Sequence, residues 1–308
     1  MGYGDYSHEA HEAITRGRAH VPRQELFKQR ECHPLMNPRG VRVRESRDSE
    51  EHPNSLGIAF ALDVTGSMGH IPDELARREL PRFMKILGEC GVADPQVLFL
   101  AVGDATSDRA PLQVGQFEST AELIDQWLTW SFLEGGGGAQ DTESYELALY
   151  FLAQHTDMDC WNKRSKRGYM FMTGDERPYP AVSRVQVEAI LGDRVDEDIP
   201  TAAAIAALQR TFNPFFLIPD AGRRARCERA WRDLLGDQVI CMESAADTCF
   251  VAAGIIALGE GVVTDLDALA KVIAKAGAER ERVGAVVRAL TPYAATLGRD
   301  AAPSFFTR

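Results

Sequence analysis

Short, unbroken runs of apolar residues alternate along the chain with longer segments in which apolar residues recur every three or four positions. A short unbroken run is typical of a strand buried on both faces, whereas the longer spacing is typical of a helix with one buried face. Runs at residues 58–62, 97–102, 169–172, 215–218 and 239–242 therefore predict the strands of one sheet. Because helical segments separate these runs, the pattern predicts an α/β fold, a Rossmann-like, doubly wound, mostly parallel sheet with helices on both faces.

The segments between the runs predict the covering helices. They lie at residues 71–88, 119–130, 145–155, 185–191, 201–212, 223–235 and 247–258. Pro81 predicts a kink or a break in the first helix, because proline lacks a backbone donor and clashes with the preceding turn. Ser119 is the predicted N-cap of the second helix. Residues 110–117 predict a short edge strand.

Two flanking segments lack this alternation. Residues 1–55 form a polar arm, in which a short helix is predicted at 7–16 and extended backbone at 35–38 and 41–43. Residues 56–260 form the α/β domain. Residues 261–308 are predicted to be a C-terminal helical extension, with two helices around Gly277.

Histidines are concentrated in the arm, which holds five of the seven in the chain. His8 and His11 lie one helical turn apart, and Cys32 and His33 follow, so a zinc site is one hypothesis for the arm. The spacings of these residues match no structural zinc pattern well. An arm that packs on the α/β domain, or on a partner, is the favoured interpretation.

Composition narrows the class of protein. The net charge of −11 over 308 residues disfavours nonspecific binding to nucleic acid. The longest apolar stretch, residues 249–258, is too short to span a bilayer, and the first residues lack the features of a signal peptide. Six cysteines without paired spacing are typical of a reducing compartment. We therefore expect a cytoplasmic protein without membrane insertion, while the pattern leaves its oligomeric state open.

The first predicted strand ends in a motif with metal-binding chemistry. Asp63 closes the strand, and two hydroxyl side chains, Thr65 and Ser67, follow at alternate positions in a glycine-containing loop. In open α/β sheets, ligands bind beyond the carboxyl ends of the strands, which is where these three side chains are expected. Oxygen ligands suit a hard cation such as Mg²⁺.

Two later loops bring further oxygen donors to the same edge. A glycine-rich loop, residues 135–138, is followed by Asp141 and Thr142 just before a predicted helix. Asp175 follows the predicted strand at 169–172. Asp141 is the first choice for a ligand from the glycine-rich loop, Thr142 the second, and Ser144 is a third candidate. The alternative for these residues is a structural role, in which Asp141 caps a helix and Asp175 hydrogen-bonds its own turn.

Residues 56–259, about two thirds of the chain, resemble the von Willebrand factor type A (vWA) family with its metal-ion-dependent adhesion site (MIDAS). The family motif Asp-x-Ser-x-Ser stands here as Asp63-Val-Thr-Gly-Ser67, with threonine for the first serine. The second loop departs from one branch of the family, since two extra residues precede Asp141 and no proline follows. The resemblance implies that Thr65 and Ser67 coordinate the cation directly, that Asp63 and Asp175 act partly through water, and that a partner supplies an acidic ligand.

The resemblance implies a non-enzymatic module that uses Mg²⁺, or Mn²⁺ or Ca²⁺, to bind an Asp or Glu of another protein. A scaffold in an intracellular bacterial assembly is the expected setting. The alternative is a phosphohydrolase of haloacid-dehalogenase-like type with Asp63 as its nucleophile. Thr65 stands where that class keeps an acid/base aspartate, and threonine does not perform general acid chemistry near neutral pH.

Overall fold

The computed structural model describes residues 4–66, 68, 70–135, 141–219 and 221–298. Its strands are β1 (Arg44–Ser46), β2 (Leu56–Asp63), β3 (Pro95–Val102), β4 (Leu112–Val114), β5 (Thr142–Glu143), β6 (Thr156–Met158), β7 (Gly168–Thr173), β8 (Arg177–Pro178), β9 (Ala181–Val182), β10 (Ile199–Pro200), β11 (Phe212–Ile218) and β12 (Val239–Cys241). Within the described residues, six of these strands form the central sheet, in the order β12–β11–β7–β2–β3–β4. Only the β3–β4 pair is antiparallel among them. The predicted strands, including the short edge strand, all lie in this sheet, which confirms the predicted α/β fold class.

Helices surround the sheet. They are α1 (His8–Arg16), α2 (Arg23–Leu26), α3 (His70–Glu74), α4 (Leu80–Glu89), α5 (Ala121–Thr129), α6 (Tyr145–Gln154), α7 (Asp159–Arg164), α8 (Arg184–Ile190), α9 (Thr201–Leu208), α10 (Arg224–Leu235), α11 (Thr248–Gly259), α12 (Leu266–Lys275) and α13 (Arg280–Thr296). Short 3-10 turns lie at Pro34–Met36, Gly236–Gln238 and Ala245–Asp247. In the part of the chain that the structure describes, no helix is both long enough and apolar enough to cross a lipid bilayer.

Alternate side chains of the strands build two cores, one on each face of the sheet. Along β2, Ile58, Phe60 and Leu62 face the layer that contains α4, α11, α12 and α13. Ala59 and Ala61 face the opposite layer, which contains α6, α9 and α10. Because a strand alternates its side chains between faces, a fully apolar strand such as β2 belongs between two helical layers. The two segments after residue 261 that were predicted to be helical are α12 and α13, and both pack into the first core.

A π-helical segment, Leu75–Glu79, connects α3 to α4 directly ahead of Pro81. Pro81 cannot donate a backbone hydrogen bond, and its ring would crowd the carbonyl group of Arg77 in a regular α-helix. The wider π turn accommodates the proline without breaking the helix. The helix therefore continues from His70 to Glu89 with a change of winding, rather than as two separate pieces.

The arm lies against the domain. Its helix α1 packs on α4 and α5 and is N-capped by Ser7, whose hydroxyl accepts a hydrogen bond of 3.1 Å from the amide of Ala10. Arg18 forms a partly buried ion pair with Asp125 of α5. Farther along, β1 pairs in parallel with β6. The prediction of extended backbone at 35–38 is wrong at its start, because Pro34–Met36 is a 3-10 turn capped by the ring of His33.

The arm also covers the open edge of the central sheet. The guanidinium group of Arg44 donates hydrogen bonds of 3.0 Å to the carbonyl oxygen of Leu35 and 3.2 Å to that of Val114 in β4. The ring of His33 stacks on Trp130 at a centroid distance of 4.0 Å. These contacts hold the Pro34–Met36 turn beside the edge strand.

The zinc hypothesis for the arm is not supported. His8, His11, Cys32 and His33 are all described, and no group of three or more His, Cys, Asp or Glu among the described residues could hold a metal ion. His11 is fully buried, and its Nδ1 lies 2.8 Å from the hydroxyl of Tyr6. These arm histidines pack and hydrogen-bond as structural residues.

We expect the arm to loosen in weak acid because of His11. Burial, followed by the nearby charges of Arg18 and His8, lowers the pKa of His11 to about 4 from its ordinary value of 6.5. Between these values the unfolded arm binds a proton that the folded arm excludes, so acidification from pH 7 to pH 4 weakens the folded arm by roughly 3 kcal/mol. Digestion with Glu-C, which remains active in weak acid, should cut the arm faster at pH 5 than at pH 7. His11→Gln should remove most of this pH dependence, and equal cutting of the parent at both pH values would contradict the prediction.

Candidate metal centre

The carboxyl ends of β2 and β7 form the floor of the candidate site. These strands are neighbours, with Leu62 of β2 opposite Thr173 of β7. Asp63 is the last residue of β2, and Asp175 lies two residues beyond the end of β7. Both carboxyl groups are fully buried. The chain leaves β2 toward β3 on one side and returns to β7 on the other, so this is the switch point at which open α/β sheets bind ligands.

Both oxygens of Asp63 accept hydrogen bonds. Oδ1 accepts from the amide of Thr65 at 2.9 Å and from its hydroxyl at 2.5 Å. Oδ2 accepts from the phenol of Tyr145 at 2.6 Å. Burial raises the pKa of Asp63 to about 6, with a further contribution from the charge of Asp175, although the bonds from Thr65 and Tyr145 oppose the shift. The hydrogen bonds from Thr65 and Tyr145 therefore fix the orientation of the Asp63 carboxyl group.

Tyr145 is held in place by its surroundings. Its ring meets the rings of Phe216 and Trp231 edge to face, each at a centroid distance of 5.6 Å. Glycine is required at position 174, because a Cβ atom there would lie 2.3 Å from the phenol oxygen of Tyr145. The loop after β7 and the first residue of α6 thus meet at Asp63.

Asp175 is incompletely satisfied. Neither of its carboxylate oxygens accepts a well-aligned hydrogen bond from the residues that the structure describes. Nη1 of Arg223 lies 2.9 Å from Oδ2, so the contact is an ion pair without hydrogen-bond alignment. The hydroxyl of Thr173 also lacks a partner among the described side chains and backbone groups. A fully buried carboxylate in this state needs compensation by a cation or a donor.

The second loop is arranged differently from the first. The side chain of Asp141 is 73% exposed and lies 3.7 Å from Arg177. Thr142 is half-buried in β5, opposite Arg177 of β8. The hydroxyl of Ser144 accepts a 2.9 Å hydrogen bond from the amide of Ala105. Ser67 and residues 136–140 lie outside the described residues, so the structure brings together Asp63, Thr65 and Asp175 and leaves Asp141 directed at Arg177.

Glu143 is a buried acid that the sequence analysis missed. Burial, followed by the charges of Asp63, Asp104, Asp108 and Glu176, raises its pKa to about 9. Its Oε2 has no hydrogen-bond partner among the described residues. The feature of the sequence that could have indicated Glu143 is its position directly after Asp141 and Thr142 and just before α6. Nothing in the sequence distinguished Tyr145 or Arg223, because their roles arise from packing between distant segments.

The donor set favours a hard cation only if hydroxyl or backbone oxygens contribute. No three His, Cys, Asp or Glu side chains in the described ranges could hold a metal by themselves. Asp63 and Asp175 supply two buried carboxylates and Thr65 a hydroxyl, which are ligands of the kind that Mg²⁺ and Mn²⁺ prefer. The unsatisfied oxygens of Asp175 are a further reason why these residues fit a cation.

The charges around the site are unbalanced. The acids at this edge include Asp63, Glu143, Asp175 and Glu176. Two arginines face them, Arg223 at Asp175 and Arg226 at Glu176. Because the pKa of Glu143 is raised to about 9, this acid is neutral near pH 7, and the other three acids exceed the two arginines by one negative charge. A cation at this edge would therefore meet a negative local field.

Comparisons with known proteins give similarity of fold only. No family model matches the chain, and no curated protein matches it. Among solved structures, the pilus adhesin SpaC from Lactobacillus rhamnosus GG is 13% identical, with a TM-score of 0.46, over 71% of this chain and 32% of that one. Proximal thread matrix protein 1 (PTMP1) from the mussel byssus is 11% identical, with a TM-score of 0.41, over 73% of this chain and 51% of that one.

A second PTMP1 structure has a zinc occupied MIDAS motif. It is 10% identical to this chain, with a TM-score of 0.39, and the match covers 73% of this chain and 52% of PTMP1. The chain thus spans about a third of the SpaC chain and about half of PTMP1. The structural neighbours therefore include a protein with a MIDAS motif, at low identity and partial coverage.

Proposed function

We propose that the chain is a metal-dependent protein-interaction module of vWA type. A divalent cation, Mg²⁺ or Mn²⁺, binds at the carboxyl ends of β2 and β7 and attracts an Asp or Glu of a partner protein. The partner is part of a cytoplasmic assembly in which this chain acts as a scaffold. The free thiols of the six cysteines are compatible with a reducing compartment.

One observation supports the proposal above the others: two fully buried carboxylates, Asp63 and Asp175, lie at the ends of neighbouring strands at the switch point of the sheet, and the charge of Asp175 contributes to the raised pKa of Asp63. Burying two like charges at one sheet edge is costly unless a cation compensates them. A fold that needed only stability would place apolar or amide side chains there. The pair is therefore better explained by ligand binding than by folding.

In this proposal, Asp63, Thr65 and Asp175 hold the cation, with Ser67 joining from the first loop and either Asp141 or Thr142 from the glycine-rich loop. Asp141 would have to leave Arg177 to do so. The cation supplies residual positive charge to which a carboxylate of a partner binds strongly. Tyr145 and the amide of Thr65 orient Asp63 through their hydrogen bonds, and both depend on the rigid ends of β2 and α6.

The phosphohydrolase alternative is less well supported. Its nucleophile would be Asp63, which is fully buried and whose two oxygens already accept hydrogen bonds from Thr65 and Tyr145. A carboxylate in this state is both shielded from a substrate and weakened as a nucleophile. The geometry thus favours an orienting role for Asp63, which would act on the cation partly through water.

Calorimetry and affinity capture test the proposal together. Titration with MnCl₂ or MgCl₂ should give saturable binding of one ion, and capture from a lysate should retain an acidic-motif partner that EDTA releases. An Asp104→Asn variant serves as a fold control, since Asp104 is a buried acid on the neighbouring strand end. The proposal would be refuted if millimolar metal gave no heat of binding and if the captured partner stayed bound in EDTA.

A further inference from the structure

Arg223 reaches the candidate site from the residue just before α10. Its side chain is 32% exposed, so the arginine extends inward from the rim, while Asp175 is fully buried. Nη1 lies 2.9 Å from Oδ2 of Asp175. The guanidinium group is therefore the cation that compensates this carboxylate in the structure described here.

A guanidinium group at this distance and a metal ion cannot both occupy the same side of one carboxylate oxygen. Electrostatics adds to this steric conflict, because a divalent ion beside Asp63 and Asp175 would repel a neighbouring arginine. Removal of the arginine alone would leave Asp175 buried and unpaired, which is strongly unfavourable. One cation or the other is thus expected at Asp175 at all times.

We propose that Arg223 is an internal counter-cation that competes with the divalent ion for Asp175 and so sets the metal affinity of the site. This inference rests on the function proposed above. In the metal-free protein Arg223 neutralises Asp175, and metal binding requires its side chain to swing toward solvent. Its partial exposure leaves a path for that movement.

The competition reduces the apparent metal affinity by the fraction of molecules in which the ion pair is open. If the pair is closed about nine-tenths of the time, the loss is roughly tenfold. A displaced guanidinium group would remain near the rim of the site, where an acidic residue of a partner is expected. Arg223 therefore sets the affinity of the site for the metal.

The chain offers a matched control one helical turn away. Arg226 pairs with Glu176 at 3.0 Å, which closely resembles the pairing of Arg223 with Asp175. Arg226 is 51% exposed, and Glu176 is not among the predicted metal ligands. Loss of Arg226 should change the electrostatic potential at the site without releasing a carboxylate that binds the metal.

The test is calorimetric titration of MnCl₂ into the parent protein and the variants Arg223→Gln, Arg223→Lys and Arg226→Gln, with thermal unfolding in EDTA and in Mn²⁺. Arg223→Gln should lower the Kd for Mn²⁺ by about tenfold, because glutamine removes the competing charge. Arg223→Lys should resemble the parent, and Arg226→Gln should change the Kd by less than about threefold. In EDTA, Arg223→Gln should melt earlier than the parent and should gain more from Mn²⁺.

The outcomes separate the two proposals. If the parent binds Mn²⁺ and Arg223→Gln binds it with the same Kd, Arg223 is only a structural ion pair and the inference is wrong. If Mn²⁺ binds to Arg223→Gln but not to the parent, the competition is stronger than tenfold and the inference holds. If none of the four proteins binds Mn²⁺, the proposed metal-dependent function fails, and the role of Arg223 fails with it.

Discussion

Asp63→Asn should abolish the response of the protein to Mn²⁺ while leaving the metal-free form at least as stable as the parent. Asparagine keeps an acceptor for the Thr65 turn and a polar contact for Tyr145. It removes a buried charge that stands beside Asp175, which is a source of strain in the absence of metal. We expect the Kd for Mn²⁺ to rise by about 100-fold, the upper end of the loss that is typical when a group orienting the metal ligands is removed.

Asp104→Asn is the matched control for this experiment. Asp104 lies two residues beyond the end of β3 and forms a similar turn, accepting from the amide of Thr106 at 2.9 Å and from its hydroxyl at 2.6 Å. It is buried like Asp63 but is not a predicted ligand. Mn²⁺ binding should survive in Asp104→Asn. Equal loss of binding in both variants would indicate a general effect on the sheet edge instead of a ligand at Asp63.

Gly174→Ala should destabilise the fold and weaken metal binding together. A Cβ atom at residue 174 would lie 2.3 Å from the phenol oxygen of Tyr145 and 2.6 Å from its Cζ. The ring cannot retreat easily, because Phe216 and Trp231 pack against it. Overpacking and the broken hydrogen bond to Asp63 should together cost about 2–4 kcal/mol. Chemical denaturation and Mn²⁺ titration measure the two effects.

Gly88→Ala provides the control for the same chemical change. Gly88 lies within α4, and a Cβ atom there would meet nothing within 4 Å. Alanine favours a helix by about 1 kcal/mol over glycine, so this variant should be slightly more stable. A Gly174→Ala variant with unchanged stability would show that Tyr145 is not held as described.

Local pattern was sufficient to predict the layers of the fold. Phe60, at the centre of β2, packs among Phe83, Phe99 and Phe171 at centroid distances of 5.2–5.7 Å, and all four lie in segments with a clear strand or helix period. The boundaries were predicted less well, because apolar residues continue across them. The helix predicted at 201–212 ends at Leu208, and Phe212 already belongs to β11. Local chemistry was also ambiguous at the start of α5, where Thr120 rather than Ser119 is the N-cap.

The loops of the candidate site could be predicted from the sequence, whereas its long-range contacts could not. Asp63 and Asp175 could be placed together because parallel strands end at a common edge. The contacts of Tyr145 with Asp63 and of Arg223 with Asp175 join residues that are far apart in sequence, and no local sequence pattern indicates them. The direction of Asp141 toward Arg177 depends in the same way on the pairing of β5 with β8.

Sheet edges are the places where folded proteins most readily recruit another strand, because unpaired backbone groups there can extend the ladder. Here the carbonyl group of Val114 in β4 is bonded to Arg44, and the Pro34–Met36 turn lies alongside. A shortened chain that began at Leu56 would uncover this edge and acquire a tendency to self-associate. The polar arm therefore protects the sheet edge from aggregation. A truncation that begins at β2 is a poor choice for an expressed fragment.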